Sequence, residues 1–139
     1  MGLFALALFS LAGITRTGLT PDDALWLARL IVAESGDVQR QSVDHELEWN
    51  VIASTAVNRA KGRPVVEVID DSWNRGLRPV QLERHDDHEA FGRALDYAIQ
   101  VAIGEIDLSS AVGFAHTLNR PSWATHKAGR LWIRYEPRK

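Results

Sequence analysis

The sequence predicts a single domain of the α+β class, mainly α, with a small antiparallel β-hairpin near its end. Three observations predict it. Apolar residues recur at helical spacing in three long segments between Thr20 and Gly104. Two short runs carrying β-branched and aromatic residues follow, at 111–116 and 131–135. No repeat, low-complexity tract or linker divides the 139 residues, and a chain of that size buries about two-thirds of its unfolded surface in one core.

The first segment, residues 2–13, is apolar and uncharged, yet too short to span a bilayer as a helix. Its length suits the apolar region of an export signal, and Ser10, Leu11 and Ala12 place small residues at cleavage offsets, but the usual positive start is missing. Residues 1–19 are therefore assigned as an apolar N-terminal arm or anchor, docked on this domain or on a neighbouring subunit, with an uncleaved export signal as the alternative. Residues 20–139 form the folded domain.

The first helix of that domain runs from Thr20 to Gly36. Thr20 suits the N-cap, Pro21 the first helical position, Asp22 and Asp23 the positive end of the dipole, and Gly36 the stop. Counting back from Glu34 by threes and fours reaches Ile31, Leu30, Leu27 and Trp26, so the carboxylate continues the stripe that faces the core. Poor solvation and the negative end of the dipole both raise the pKa of an acid placed there. A carboxylic acid kept protonated beside an apolar wall is what a glycosidase uses to protonate a leaving oxygen. The plain alternative is a frayed helix end from which Glu34 reaches water.

A polar connection at 37–41 precedes a second helix from about residue 43 to 61, with Trp49, Ile52, Ala53, Ala56, Val57 and Ala60 on its apolar face. Gly62 and Pro64 end it. A short helical piece over 64–69 enters a loop at 70–84 rich in Asp, Asn, Gly and Pro. The third long helix opens on Asp86, Asp87, His88 and Glu89, presents Phe91, Ala94, Leu95, Ala98, Val101 and Ala102, and stops at Gly104. The two strands of the hairpin then flank a loop holding Pro121, Ser122 and Trp123.

Composition excludes several chemistries. Without cysteine there is no thiol catalysis and no cysteine-based zinc site. A net charge of −2 creates no global attraction for nucleic acid. Between Thr117 and Lys139, however, Arg120, Lys127, Arg130, Arg134, Arg138 and Lys139 face only Glu136. Such a run is either solvated surface or a face for an anionic polymer. His85 and His88 stand among acids at a helix start, where Asp and Glu gather for the dipole, so no metal site is assigned.

Several of these residues together resemble a family. The run Leu27-Ala28-Arg29-Leu30-Ile31-Val32-Ala33-Glu34-Ser35-Gly36 and the run Ile52-Ala53-Ser54-Thr55-Ala56-Val57-Asn58-Arg59 are similar to the cell wall hydrolases of the SleB type, related to spore-cortex lytic enzymes. Gly113-Phe114-Ala115-His116, Pro121-Ser122-Trp123-Ala124 and Gly129-Arg130-Leu131-Trp132-Ile133 continue the resemblance in order, over roughly residues 27–135. The sequence departs from the family pattern at 37–48, in the loop at 70–84 and at Ser35.

The resemblance implies a lysozyme-like fold and cleavage of peptidoglycan between N-acetylmuramic acid and N-acetylglucosamine, by lytic transglycosylation or muramidase-type hydrolysis, without metal or cofactor. It places the catalytic glutamate on Glu34. Transglycosylation would use this one carboxyl twice, first protonating the departing oxygen and then deprotonating the sugar's 6-hydroxyl to close a 1,6-anhydro ring. His116, Ser122, Trp123 and Asn58 are the candidate substrate-binding residues. Aromatic faces stack on pyranose rings and imidazole can bond an acetamido group, although Trp123 is equally a core candidate and Asn58 fits a structural role.

The implied partner is peptidoglycan, with membrane, envelope or virion contact through residues 1–19, and the implied location is the cell envelope or a phage particle. The competing expectation is a non-catalytic lysozyme-like binding or assembly module. Nucleic-acid binding ranks last, because no base-reading helix is evident.

Overall fold

A computed structural model describes residues 17–35, 45–72, 84, 86 and 89–136. They form helices α1 (Pro21–Ser35), α2 (His45–Ala60), α3 (Val65–Ser72) and α4 (Glu89–Ala102), followed by strands β1 (Ala111–Ala115), β2 (His126–Ala128) and β3 (Leu131–Tyr135). The class is α+β and mainly helical. Residues 1–16, 36–44, most of 73–88 and 137–139, with the expectations placed on them, including Arg138 and Lys139 of the basic run, lie outside the described residues.

The start of α1 is capped as its sequence predicts. The Asp23 N–H donates to Thr20 Oγ1 at 3.0 Å, and the Thr20 N–H donates back to Asp23 Oδ2 at 3.0 Å, a reciprocal pair that satisfies two donors. Asp23 does more than cap. Its Oδ1 accepts the N–H of Val65 at 3.0 Å and so fixes the start of α3 onto the start of α1. Val65 is fully buried, so Asp23→Ala leaves that amide without a partner. Loss of cap and partner together should lower the unfolding free energy by about 2 kcal/mol, read as a reduced urea midpoint with an unchanged slope.

Helix α2 differs from expectation. Its predicted apolar face is inside, but Glu48, Val51, Ser54 and Thr55 are also buried. This helix lies at the centre, packed by α1 and α3 and by β1, so small residues and hydroxyls occur where an outer helix would carry charge. Trp49 belongs to the core, edge-on to His45 and Tyr97 with ring centroids 5.1 and 5.4 Å away. Lys61 and Gly62 turn left-handed at φ 51° and 88° and end the helix. Helix α4 packs along α1 and ends before Gly104, whose φ is 85°. The Thr17 hydroxyl donates to the Ala102 carbonyl there, tying the approach to α1 onto the end of α4.

The predicted hairpin is a three-stranded antiparallel sheet ordered β1-β3-β2. The true hairpin is β2–β3, turning through Gly129 and Arg130, while β1 pairs with the other edge of β3. The extra strand, His126-Lys127-Ala128, has neither branched residues nor sufficient length to announce itself. Leu131, Ile133, Ala111 and Ala128 are buried in the core. The opposite face carries Trp132 and Lys127, cross-strand neighbours with the Lys127 ammonium 5.0 Å from the indole centroid.

Candidate active site

Glu34 sits in the last turn of α1, and the stripe behind it, Trp26, Leu27, Leu30 and Ile31, is buried. The residue is half-buried. Burial raises its carboxyl above the ordinary carboxylate range, and the helix dipole acts in the same direction. The carboxyl has no hydrogen bond or ion pair to another described residue.

The neighbouring Ser35 anchors this turn twice. Its hydroxyl donates back to the Ile31 carbonyl at 2.6 Å, and its own carbonyl accepts from Arg130 Nη2 at 3.2 Å. That same guanidinium holds Glu48, whose side chain is 1% exposed. Arg130 Nη2 lies 2.8 Å from Oε1 and Nε 3.1 Å from Oε2, and the backbone N–H of Arg130 donates to Oε2 at 3.2 Å. Three N–H groups thus satisfy a carboxyl that water does not reach. The close approach needs glycine at 129, where φ is 55° and an added Cβ would stand 2.6 Å from Glu48 Oε2. Glu48 and Arg130 thus join the end of α1, the start of α2 and the sheet's turn. Sequence reasoning missed Glu48, because an acid in the first turn of a helix reads as a solvated partner of the dipole.

The remaining candidates lie on or beside the sheet. His116 follows β1, whose Ala115 pairs with Trp132, so it leaves the sheet at the end nearest the Gly129–Arg130 turn. Through Arg130 and Ser35 this is also the end that touches the last turn of α1, which carries Glu34. His116 and Ser122 are exposed on the loop between β1 and β2, and Trp123 on the same loop is 41% exposed, not core.

Trp123 stands over Gly113 in a pocket of about 210 Å³ lined also by Arg59, Val112, Phe114 and Arg134. Glu34 is not part of that pocket. No hydrogen bond or ion pair joins it to His116, Ser122, Trp123 or Asn58. Asn58 Nδ2 donates to the carbonyls of Ser109 and Ala111 at 2.9 and 2.8 Å. With Asn50 and Ser54, at spacings of four along α2, it straps the approach to β1 against the helix. That spacing was visible in the sequence and could have been read as one polar ridge.

The basic C-terminal run is not a uniform surface. Arg130 is spent on Glu48 and Ser35, Arg120 donates to the Ala124 carbonyl through Nε and Nη2 at 2.9 and 2.7 Å, and Arg134 lines the pocket. Asp86, one of the acids before α4, is engaged by Arg29 through two contacts of 2.8 Å. Among the described residues no group of three or more His, Asp or Glu converges to hold a metal, and no helix is long and apolar enough to cross a membrane. Compared with protein-family models, curated proteins and solved structures, the chain finds no match in any of the three.

Proposed function

We propose that this chain is a lysozyme-like enzyme that cuts peptidoglycan glycan strands between N-acetylmuramic acid and N-acetylglucosamine, with Glu34 as a single general acid and base. The supporting observation is the half-buried Glu34 carboxyl, raised by burial and without a polar partner among the described residues. Such a group holds its proton to higher pH than an ordinary carboxyl and can deliver it to a leaving oxygen. Its surroundings support the same reading. The last turn of α1 meets the sheet end from which His116 departs, and Trp123, exposed on the β1–β2 loop over Gly113, offers a flat surface for a sugar ring.

One carboxyl can serve both halves of a lytic transglycosylation. Glu34 gives its proton to the glycosidic oxygen as the C1–O bond breaks. As a carboxylate it then removes the proton of the muramyl 6-hydroxyl, whose oxygen closes onto C1. Glu34 ends protonated, and no water is consumed. With water in place of the 6-hydroxyl the same carboxyl would yield a reducing end.

Digestion of purified sacculi followed by mass spectrometry of the released muropeptides tests the proposal. The expected products carry 1,6-anhydromuramic ends. Reducing muramic ends would convert the enzyme to a muramidase. An undigested sacculus that retains bound protein would assign the chain instead to the binding or assembly class, a reading favoured by the separation of the Trp123 pocket from Glu34.

A further inference from the structure

The Trp123 pocket has an electrostatic character that glycan stacking alone does not use. Arg59 and Arg134 both line it, and none of its described lining residues is acidic. The Arg59 guanidinium is aimed by a 2.7 Å bond from Nε to the Val112 carbonyl, at the point where the β1–β3 register shifts. Arg134 is exposed on β3, and its side chain has no hydrogen bond or ion pair to another described residue. Gly113 pairs with Arg134 across the strands and leaves the floor open. A Cβ there would lie 3.5 Å from Arg59 Nη2 and 3.9 Å from the Trp123 ring. Burial, and secondarily the charge of Arg134, lowers the pKa of Arg59. An anion placed between the two guanidiniums would relieve that repulsion.

We propose that Arg59 and Arg134 form a carboxylate subsite, with Trp123 as its wall, that takes the free carboxylate of a peptide carried on the glycan. This rests on the glycan-cleaving reading for its ligand. Planar guanidiniums suit a carboxylate, and the indole packs against the adjoining peptide or sugar ring. The placement fits a substituent remote from the cut. Arg134 lies three residues along β3 from Leu131, about 10 Å at strand rise, away from the sheet end that meets the last turn of α1.

The test is calorimetric titration of the full chain with a GlcNAc-MurNAc-peptide unit, which lacks the scissile linkage, as free acid and with its peptide carboxylates amidated. The free acid should bind about tenfold more tightly, as befits a charge-assisted contact. Arg134→Gln should abolish the difference and Arg134→Lys restore part of it. Gly113→Ala, which meets only ordinary contact distances, should weaken the free acid several-fold without changing Tm. Equal binding of acid and amide, or a difference that survives Arg134→Gln, overturns the subsite. So does tight binding of single-stranded oligothymidylate that is lost in Arg134→Gln while acid and amide bind alike, which would assign the pocket to nucleic-acid phosphate.

Failure of the two readings is separable. Preference for the acid in a chain that releases nothing from sacculi leaves the subsite and removes cleavage. Digestion indifferent to amidation and to Arg134→Gln removes the subsite and leaves cleavage.

Discussion

Glu34→Gln should reduce product release from sacculi by about a thousandfold while the fold persists, because loss of a positioned general acid typically costs two to four orders of magnitude. The substitution keeps the shape of the side chain and removes only its titration. Two pH dependences accompany it. The basic limb of kcat/KM should fall above the ordinary carboxylate range, as the raised Glu34 gives up its proton.

Stability should show the same group independently of any substrate. Since the folded-state pKa exceeds the unfolded one, the contribution of Glu34 is fully present below the unfolded value and is lost as pH rises through the folded value. The glutamine variant does not titrate. Its Tm relative to the parent should therefore climb through that interval and level off above the folded value. A variant that digests sacculi at the parental rate ends the catalytic assignment. A Tm difference constant with pH ends the claim that burial perturbs this carboxyl.

What the sequence revealed and what it hid divide along physical lines. Helix α1 was legible with its cap, its stripe and its terminal acid, since all are encoded within one stretch of chain. Helix α2 was legible as a helix but not as the central one, because Ser54 and Thr55, polar residues off its apolar face, give no sign in the sequence that they are fully buried. Strand β2 could not be read, as three residues without branching acquire strand geometry only from pairing with β3.

The site followed the same rule. Glu34 was found from local spacing. The Glu48–Arg130 clamp joins residues 82 positions apart, and the pocket between Arg59 and Arg134 brings together a residue of α2 and one of β3 around Gly113. No window of sequence contains such a pairing. Ser122 was named from a motif, and the structure places it exposed on the β1–β2 loop without assigning it a contact.

Arg130→Met should destabilise the protein by about 3 kcal/mol, toward the lower part of the range for breaking a buried pair. The methionine retains much of the apolar stem and removes every guanidinium donor. Among the described residues Glu48 would then keep only the backbone N–H of residue 130 against a side chain that is 1% exposed. The arginine's own side chain is 36% exposed, so water entering through its former place offsets part of the loss. At this chain length that corresponds to a fall in Tm of about 10 °C. A double variant, Glu48→Met with Arg130→Met, should recover most of it, because replacing both members by apolar groups removes the stranded charge. If the single variant melts within 2 °C of the parent, the pair is not holding the domain together.

The clamp also bears on activity, through Ser35. Without the Arg130 bond to its carbonyl the last turn of α1 loses a tether directly beside Glu34, and water gains access to the carboxyl. Its raised pKa should relax toward the ordinary range, shifting the basic limb of kcat/KM to lower pH in samples held well below their Tm. The double variant separates the two effects: it regains the stability but not the tether, so its Tm should recover while its pH profile stays displaced.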